Sequence, residues 1–559
     1  MIRRMLLLLW IGAVPQISLA ADVKQPVFIY LFSRMEDHLN IEIWEDHLQQ
    51  TLPMLERHRN RYPQYHAAAL LQFTGAVSES LESRNRSNRL RDTILDLARK
   101  GIVETGYDGS EEPTYRTRAR PNFRRAGTLE ERWLARGEAA EWFLTEYRHP
   151  VTGEPDPERT GGLKKMLAVF GRAAFIGGYS EELGGDPESV HHIRRLAARA
   201  ILPGIPESTT WPARDLRGYG GSVEWTGKLL SPEADTAPEL FWQDGYLRCS
   251  NTSGPTVHVV YAHSGLAALK EMLEKLDRSR PHVIRVQLGE QGMFLDPAFE
   301  KSLFSTTIRY TYDNPKSARL PENAHRARPE IEAACDREAA LLEWLAEEYF
   351  QANPGSRFIL GGELLSMAQT RTDSSVPQAA LRAATENLLA QWKETGNQPP
   401  NYARAGGDYF SLADMFQMLA SSLAEFHRSG AMPPSVRLHH VYGPLDMHSN
   451  QGPSSGEVTV RSIARECVGL AAGLNDETWR PLPSNMIPAW ISVDGFRLNA
   501  AQFLRLMGEA FLKADAGAGL RVRTCQMFSG LAFVFPYSRR QAETGATWTL
   551  KPALLRLAQ

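Results

Sequence analysis

The chain has 559 residues, 43% of them hydrophobic and 23% charged, with a formal net charge of -2. That length exceeds one compact domain and predicts two or three; the composition is that of a globular protein rather than a disordered one, and the near-neutral balance argues against a nucleic-acid partner. Four cysteines, Cys249, Cys335, Cys467 and Cys525, lie far apart with no CxxC pair, which argues against a thiolate zinc site and leaves three full disulfide pairings, or free buried thiols, open.

The first twenty residues, MIRRMLLLLWIGAVPQISLA, place Arg3 and Arg4 before an apolar run from Met5 to Val14, followed by Ser18-Leu19-Ala20. This is the pattern of a cleavable secretory signal, and the run is well short of the roughly 20 apolar residues of a spanning helix. Residues 1–20 are therefore expected to be removed, sending the protein to a periplasmic or extracellular location, with retention at the envelope open. No later segment is apolar enough to span a bilayer, so no transmembrane segment is expected after cleavage.

From Val27 to about Leu365 short β-like runs alternate with helical stretches, the signature of β/α units and a parallel sheet. The strand candidates are Val27–Phe32, Ala67–Phe73, Ile102–Gly106, Ala173–Gly177, Arg199–Leu202, Thr256–Ala262, Val283–Leu288 and Arg357–Leu360. Helices are expected at Leu90–Lys100, before Gly101, and at Ala339–Gln351, before Asn353-Pro354-Gly355. The expected fold class is α/β, with residues 21–370 forming a (β/α) barrel of seven or eight strands. Tyr115–Gly162 and Pro203–Gly254 read as long loop insertions, of the kind that build sites at the C-terminal face of a barrel.

Three places carry groups suited to chemistry. Glu36-Asp37-His38 ends the first strand, where a barrel presents groups that move protons or hold a metal. The same trio returns as Glu45-Asp46-His47, turned about 180° away on a helix, and reads as a solvated helix face. The third strand runs on as GIVETGYDGSEEPTY, bringing Glu104, Tyr107, Asp108, Glu111 and Glu112 close together; such carboxylates repel unless a cation or protons separate them. His263 ends the strand in TVHVVYAHSG, and its imidazole suits proton transfer near neutrality. His191 and His192 open a helix, and at most one of them can face a site. There is no GxSxG elbow, P-loop, HExxH or Rossmann glycine run.

The order of an acidic strand end, a helix, a strand, a helix and then Gly101-Ile102-Val103-Glu104-Thr105-Gly106 with Pro113 resembles the NodB-type polysaccharide deacetylases and their relatives among β/α-barrel glycosidases. The resemblance spans roughly Val27 to Leu365. It implies Glu36 as general base, Asp37 as metal ligand and His263 as general acid. The two ligand histidines of the family fall at Asp108 and Glu112, which disfavours zinc and favours an oxygen-preferring divalent ion at Asp37, Asp108 and Glu112, with His38 as a possible additional ligand, or no metal. A glycosidase reading would instead pair Glu36 or Asp37 with Asp108.

After about Ser375 the pattern becomes helical, and residues 375–559 read as a second domain with an internal repeat. PPNYARAGGDYFSLADMFQML from Pro399 lies over IPAWISVDGFRLNAAQFLRLM from Ile487, at a constant offset that aligns Pro400 with Pro488, Gly407 with Gly495 and Ser411 with Asn499. A partial third copy, PPSV, starts at Pro433. Each unit is expected to lead through a tight glycine turn to a helix capped by Ser411 or Asn499. These units resemble the pseudomurein-binding repeat of cell-surface proteins over roughly Ala380 to Leu512, which implies attachment to a wall polymer. Together the two resemblances imply an exported carbohydrate-active hydrolase that deacetylates a polysaccharide or cell-wall glycan; the alternatives are a two-carboxylate glycosidase and a non-catalytic glycan-binding surface protein. Expression in a secreting host should yield a mature chain beginning at Ala21, read by N-terminal sequencing; retention of residues 1–20 would refute cleavage.

Overall fold

The structure, a computed structural model, describes residues 24–35, 41–108, 146–148, 155–160, 162–173, 175–177, 210–212, 223–224, 240–243, 246–249, 260–289, 291–294, 326–368, 375–395, 399–400, 402–444, 452–476, 485–527, 532–533 and 548–557. In chain order its first region holds the strands β1 (Val27–Met35), β2 (Ala69–Phe73), β3 (Val103–Asp108), β4 (Phe175–Gly177), β5 (Thr210–Pro212), β6 (Leu240–Gln243), β7 (Tyr246–Cys249), β8 (Val260–Tyr261), β9 (His282–Leu288) and β10 (Arg357–Phe358). Its helices are α1 (Ile41–Arg61), α2 (Gly75–Asn88), α3 (Leu90–Arg99), α4 (Gly162–Phe170), α5 (Leu266–Lys275), α6 (Arg328–Trp344) and α7 (Gly361–Ala368).

All nine residues of β1, VFIYLFSRM, are buried. Aromatic and branched side chains on both faces suit the centre of a parallel sheet, where each face is covered. β1 pairs in parallel with β9 from Val27 to Ser33 on one edge. Its other edge is shared, with β10 at Phe28 and Ile29 and β2 from Leu31 to Met35. The ladder runs β8–β9–β1–β2–β3–β4–β5–β7–β6 and ends on a strand from far along the chain, Lys551–Pro552. Every pairing from β8 to β7 is parallel; β6 and the C-terminal strand add antiparallel edges.

The two faces of the sheet bury different layers. Val27, Ile29 and Leu31 point toward helices, packing in one core with Trp44, Leu48 and Leu55 of α1, Ile94 and Leu97 of α3, and Leu341 and Leu342 of α6. Phe28, Tyr30, Phe32 and Leu70 point the other way and share a second core with Leu364, Leu365 and Ala368 of α7, Ala553, and Leu240 and Leu247 of β6 and β7. Leu70 and Leu247 stand on strands four places apart, about 19 Å in a flat sheet. Their common core therefore wraps the ladder around α7.

The fold is mixed α/β around a parallel sheet, as expected. Among the described residues the terminal strands of the ladder, β8 and Lys551–Pro552, are not paired with one another, so the sheet is not shown closed. Expected strands are present at β1, β2, β3, β4, β8, β9 and β10, while Arg199–Leu202 lies outside the described residues. Pro203–Gly254, read as an insertion, instead supplies β5, β6 and β7. These strands are only three or four residues long, too short to show period 2 clearly against Pro- and Gly-rich flanks.

The helical region is a duplication larger than the repeat seen in sequence. Its first half runs from a strand at Ser375–Pro377 through α8 (Gln378–Thr395), the hairpin Tyr402–Ala405/Asp408–Ser411 and α9 (Leu412–Ser429) to a strand at Ser435–Arg437. The second half repeats this order with Ser455–Thr459, α10 (Val460–Leu474), the hairpin Trp490–Val493/Phe496–Asn499, α11 (Ala500–Lys513) and Gly519–Arg523. In each half the first strand pairs antiparallel with the last. The PPSV segment therefore closes the first unit, Val436 pairing with Val376, and does not open a third. α8 packs on α11 and α10 on α9, with α9 against α11 between them, an arrangement that exchanges the two halves.

The hairpins turn at Gly406, with φ 59°, and at Asp494 and Gly495, with φ 46° and 84°, the left-handed conformations that two-residue hairpin turns demand. Ser411 Oγ accepts from the Asp414 amide at 3.1 Å while Asp414 Oδ2 accepts from the Ser411 amide at 2.8 Å. Asn499 and Gln502 repeat this capping box at 2.8 and 3.1 Å, and Asn499 Nδ2 also donates to the Cys525 carbonyl at 2.8 Å. The expected caps are thus both present, reciprocal and buried. Ser411→Ala should cost about 1 kcal/mol, and Asn499→Ala, which also orphans a buried carbonyl, about 2 kcal/mol, measured by urea denaturation; equal costs would discount the Cys525 bond.

Candidate functional site

Parallel strands send their carboxyl ends to one edge, where the loops that follow them meet. Register places Met35 of β1 beside Phe73 of β2, Phe73 beside Tyr107 of β3, and Asp108, the last residue of β3, beside Gly177. The turn bearing His263 follows β8 on the same edge, joined to β9 by the Ala262 amide donating to the Gln287 carbonyl at 2.9 Å.

Of the expected site residues, Glu36, Asp37 and His38 begin directly after Met35 but lie outside the described residues, as do Glu111, Glu112, His191 and His192. Asp108 and His263 are placed, both at the carboxyl edge. The ends of β8 and β3 are four strand spacings apart, about 19 Å along a flat ladder, with the end of β1 midway between them. Among the described residues no group of three His, Cys, Asp or Glu is arranged to hold a metal ion. Of the expected ligands, Asp108 alone has its backbone placed.

His263 is half-buried, and its Nδ1 is enclosed without a hydrogen-bond partner among the described residues. Its ring centroid lies 6.2 Å from that of Tyr261, and its backbone carbonyl accepts from Arg337 Nε at 2.6 Å. Burial pushes the imidazole below the ordinary 6.5; the nearby Glu338 charge opposes that fall, and Arg337 and Arg326 add to it.

Glu104 stands near the start of β3, four residues before Asp108 at the carboxyl end of the same strand. Its carboxylate accepts from the amides of Gly361 at 2.9 Å and Gly362 at 3.4 Å, at the start of α7. Burial raises its carboxyl above the ordinary value despite these bonds. It serves to anchor α7 beneath the sheet.

Strand alternation puts Tyr30, Phe32 and Arg34 of β1, Gln72 of β2, Glu104 of β3 and Arg285 of β9 on the α7 side of the ladder. Arg34, Gln72 and Arg285 are buried there, and the Arg285 guanidinium lies 4.3 Å from the Phe32 ring centroid. The apolar content of these runs hides this polar set in the sequence. The available signal was a charged residue within each buried run, Arg34 in LFSRM and Arg285 in VIRVQ.

The Glu45-Asp46-His47 trio is not a solvated face. Glu45 is buried and bound by Arg84, whose Nε and Nη2 donate at 2.6 and 2.7 Å, and by Asn88 Nδ2 at 2.7 Å. The His47 and Glu338 side chains are fully enclosed, with Nε2 3.4 Å from Glu338 Oε2 and 2.9 Å from Thr51 Oγ1. α6 covers this part of α1, so the helix buries two faces rather than one. Cys335, Cys467 and Cys525 are free and buried; burial pushes the thiols of Cys335 and Cys525 up to about 12 and about 11, so neither is a thiolate nucleophile at neutral pH.

Gly289 turns the chain after β9 with φ 65°, and a Cβ there would lie 2.5 Å from His47 Cε1. Gly289→Ala should combine left-handed strain with overpacking and cost about 3 kcal/mol, read by denaturant unfolding; a loss below about 1 kcal/mol would mean that the loop relaxes away from His47.

No protein-family profile and no curated protein matches the chain. Among solved structures it is similar to a 4-alpha-glucanotransferase from Thermococcus litoralis, at 14% identity and a TM-score of 0.28, over 88% of this chain and 58% of that one. The chain thus spans a little over half the length of that enzyme, and a likeness at this TM-score carries no weight for fold or activity.

Proposed function

We propose that the protein is an exported carbohydrate-active hydrolase that removes acetyl groups from a cell-wall or extracellular polysaccharide, on a barrel-like sheet whose carboxyl edge is the reaction centre. The observation that carries this reading is the common edge shared by Asp108, His263 and the end of β1, where Glu36 and Asp37 follow.

In this reading Glu36 takes a proton from water as the water oxygen attacks the acetyl carbonyl carbon. The tetrahedral adduct then collapses, the bond to the sugar oxygen or nitrogen breaks, and protonated His263 supplies the leaving group with its proton. Acetate and the free hydroxyl or amine are the products. A divalent ion held by Asp37, Asp108 and Glu112, with His38 as a further donor, would polarise the carbonyl. The helical region, in the same reading, holds the enzyme near its polymer. Its hairpins each carry a cation–aromatic pair, Arg404 over the buried Tyr409 and Arg497 over the half-buried Trp490.

The test is acetate release and reducing-end release from acetylated polysaccharides by the purified mature chain, with metal analysis of the same sample. Acetate without new reducing ends is expected, falling at least about 100-fold in His263→Gln and Asp37→Ala. Because the imidazole is pushed below 6.5, its protonated form is lost as pH rises through that lower value, so the basic limb of the rate should lie below pH 6.5. New reducing ends without acetate would favour the two-carboxylate glycosidase. Retention on insoluble wall polymer with neither product would favour a binding protein.

A further inference from the structure

Two consecutive residues of α6 hold the two loops at the carboxyl ends of β8 and β9. Arg337 Nε donates to the backbone carbonyl of His263 at 2.6 Å, and Glu338 Oε1 accepts from the backbone amide of Gly289 at 2.7 Å. The loops are joined to each other where the Ala262 amide meets the Gln287 carbonyl. Behind Glu338 stands the enclosed His47, steadied by Thr51 and pressed by the Gly289 turn.

Glu338 is therefore fixed on three sides by α6, by α1 and by the turn after β9. A side chain so enclosed cannot swing toward water. We propose that Arg337 and Glu338 are positioning residues for His263: Arg337 fixes the backbone from which the imidazole projects, and Glu338 fixes the turn after β9, the strand to which that backbone is bonded. The inference rests on reading His263 as the general acid, and neither α6 residue is assigned a contact with substrate.

The charged groups acting on the ring come from the same part of the chain. Among the described residues they are Glu338 and Arg337 from α6 and Arg326 from the segment before it, while Tyr261 neighbours the ring from its own strand. Glu338 alone works against burial; the two arginines work with it.

The experiment is an NMR titration of the full mature chain labelled with 13C-histidine, using His263→Gln to assign the resonance. Glu338→Gln keeps the shape and removes the charge, so the His263 midpoint should fall. Arg337→Gln, a change at an exposed position, should raise it. A general loosening of the fold predicts the same direction for both, because water then reaches the ring and moves the midpoint up. A midpoint unchanged or raised in Glu338→Gln overturns the assignment. If that variant does not fold, an unchanged midpoint in Arg337→Gln overturns it. Acetate release by wild type and His263→Gln is measured beside the titration: equal rates would sink the general-acid reading, while the midpoints judge the positioning separately.

Discussion

Parallel pairing along both edges of β1 is the constraint on which the rest of the first region depends. A strand buried on both faces leaves its backbone groups no partner but neighbouring strands, and β1 finds three, with β10 and β2 dividing one edge between them. Parallel neighbours need crossovers, which explains the helices α1 to α3 and α6 on one face. The same pairing brings the strand ends to one edge, so the location of the candidate chemistry follows from backbone hydrogen bonding before any catalytic side chain is considered.

Much of this was legible in the residues. The run VFIYLF, the glycine after LRDTILDLARK and the caps Ser411 and Asn499 each express a local physical preference that the tertiary structure keeps. The hidden features were those decided between distant segments. Glu45 and His47 read as surface because their helix carries many charges, yet Arg84 and Glu338 reach them from other helices. Glu104 reads as one of an acidic group, but its carboxylate is claimed by amides more than two hundred residues later. Pairings between remote segments leave no period to detect, and β5 to β7 are too short to show one. As for the candidate site, the sequence points to strand-end acids and to His263, whereas the support from Arg337 and Glu338 exists only through packing.

The duplication shows how a repeat persists structurally where its sequence fades. Hairpin and cap positions are held by left-handed turns and buried reciprocal bonds, so their residue types remain recognisable. The outer strands and α8 and α10 need only apolar faces of suitable volume, which many sequences satisfy. Aligned residues therefore mark the centre of each unit, while pairing of Ser375–Pro377 with Ser435–Arg437, and of Ser455–Thr459 with Gly519–Arg523, marks its true extent.

The C-terminal strand ties the two regions together. Trp548 packs in the helical core and donates Nε1–H to the Met527 carbonyl at 2.8 Å; three residues on, Lys551 pairs with Trp242 while its Nζ meets Asp414 at 2.7 Å. The whole helical region lies between β6 and this partner in the chain. A polypeptide emerging amino end first must therefore carry β6 as an open sheet edge until the helical region has followed it out. Such an edge invites pairing with other chains. The order of emergence thus makes the last strand a guard against misassembly, and places the most vulnerable interval of folding at the end of synthesis.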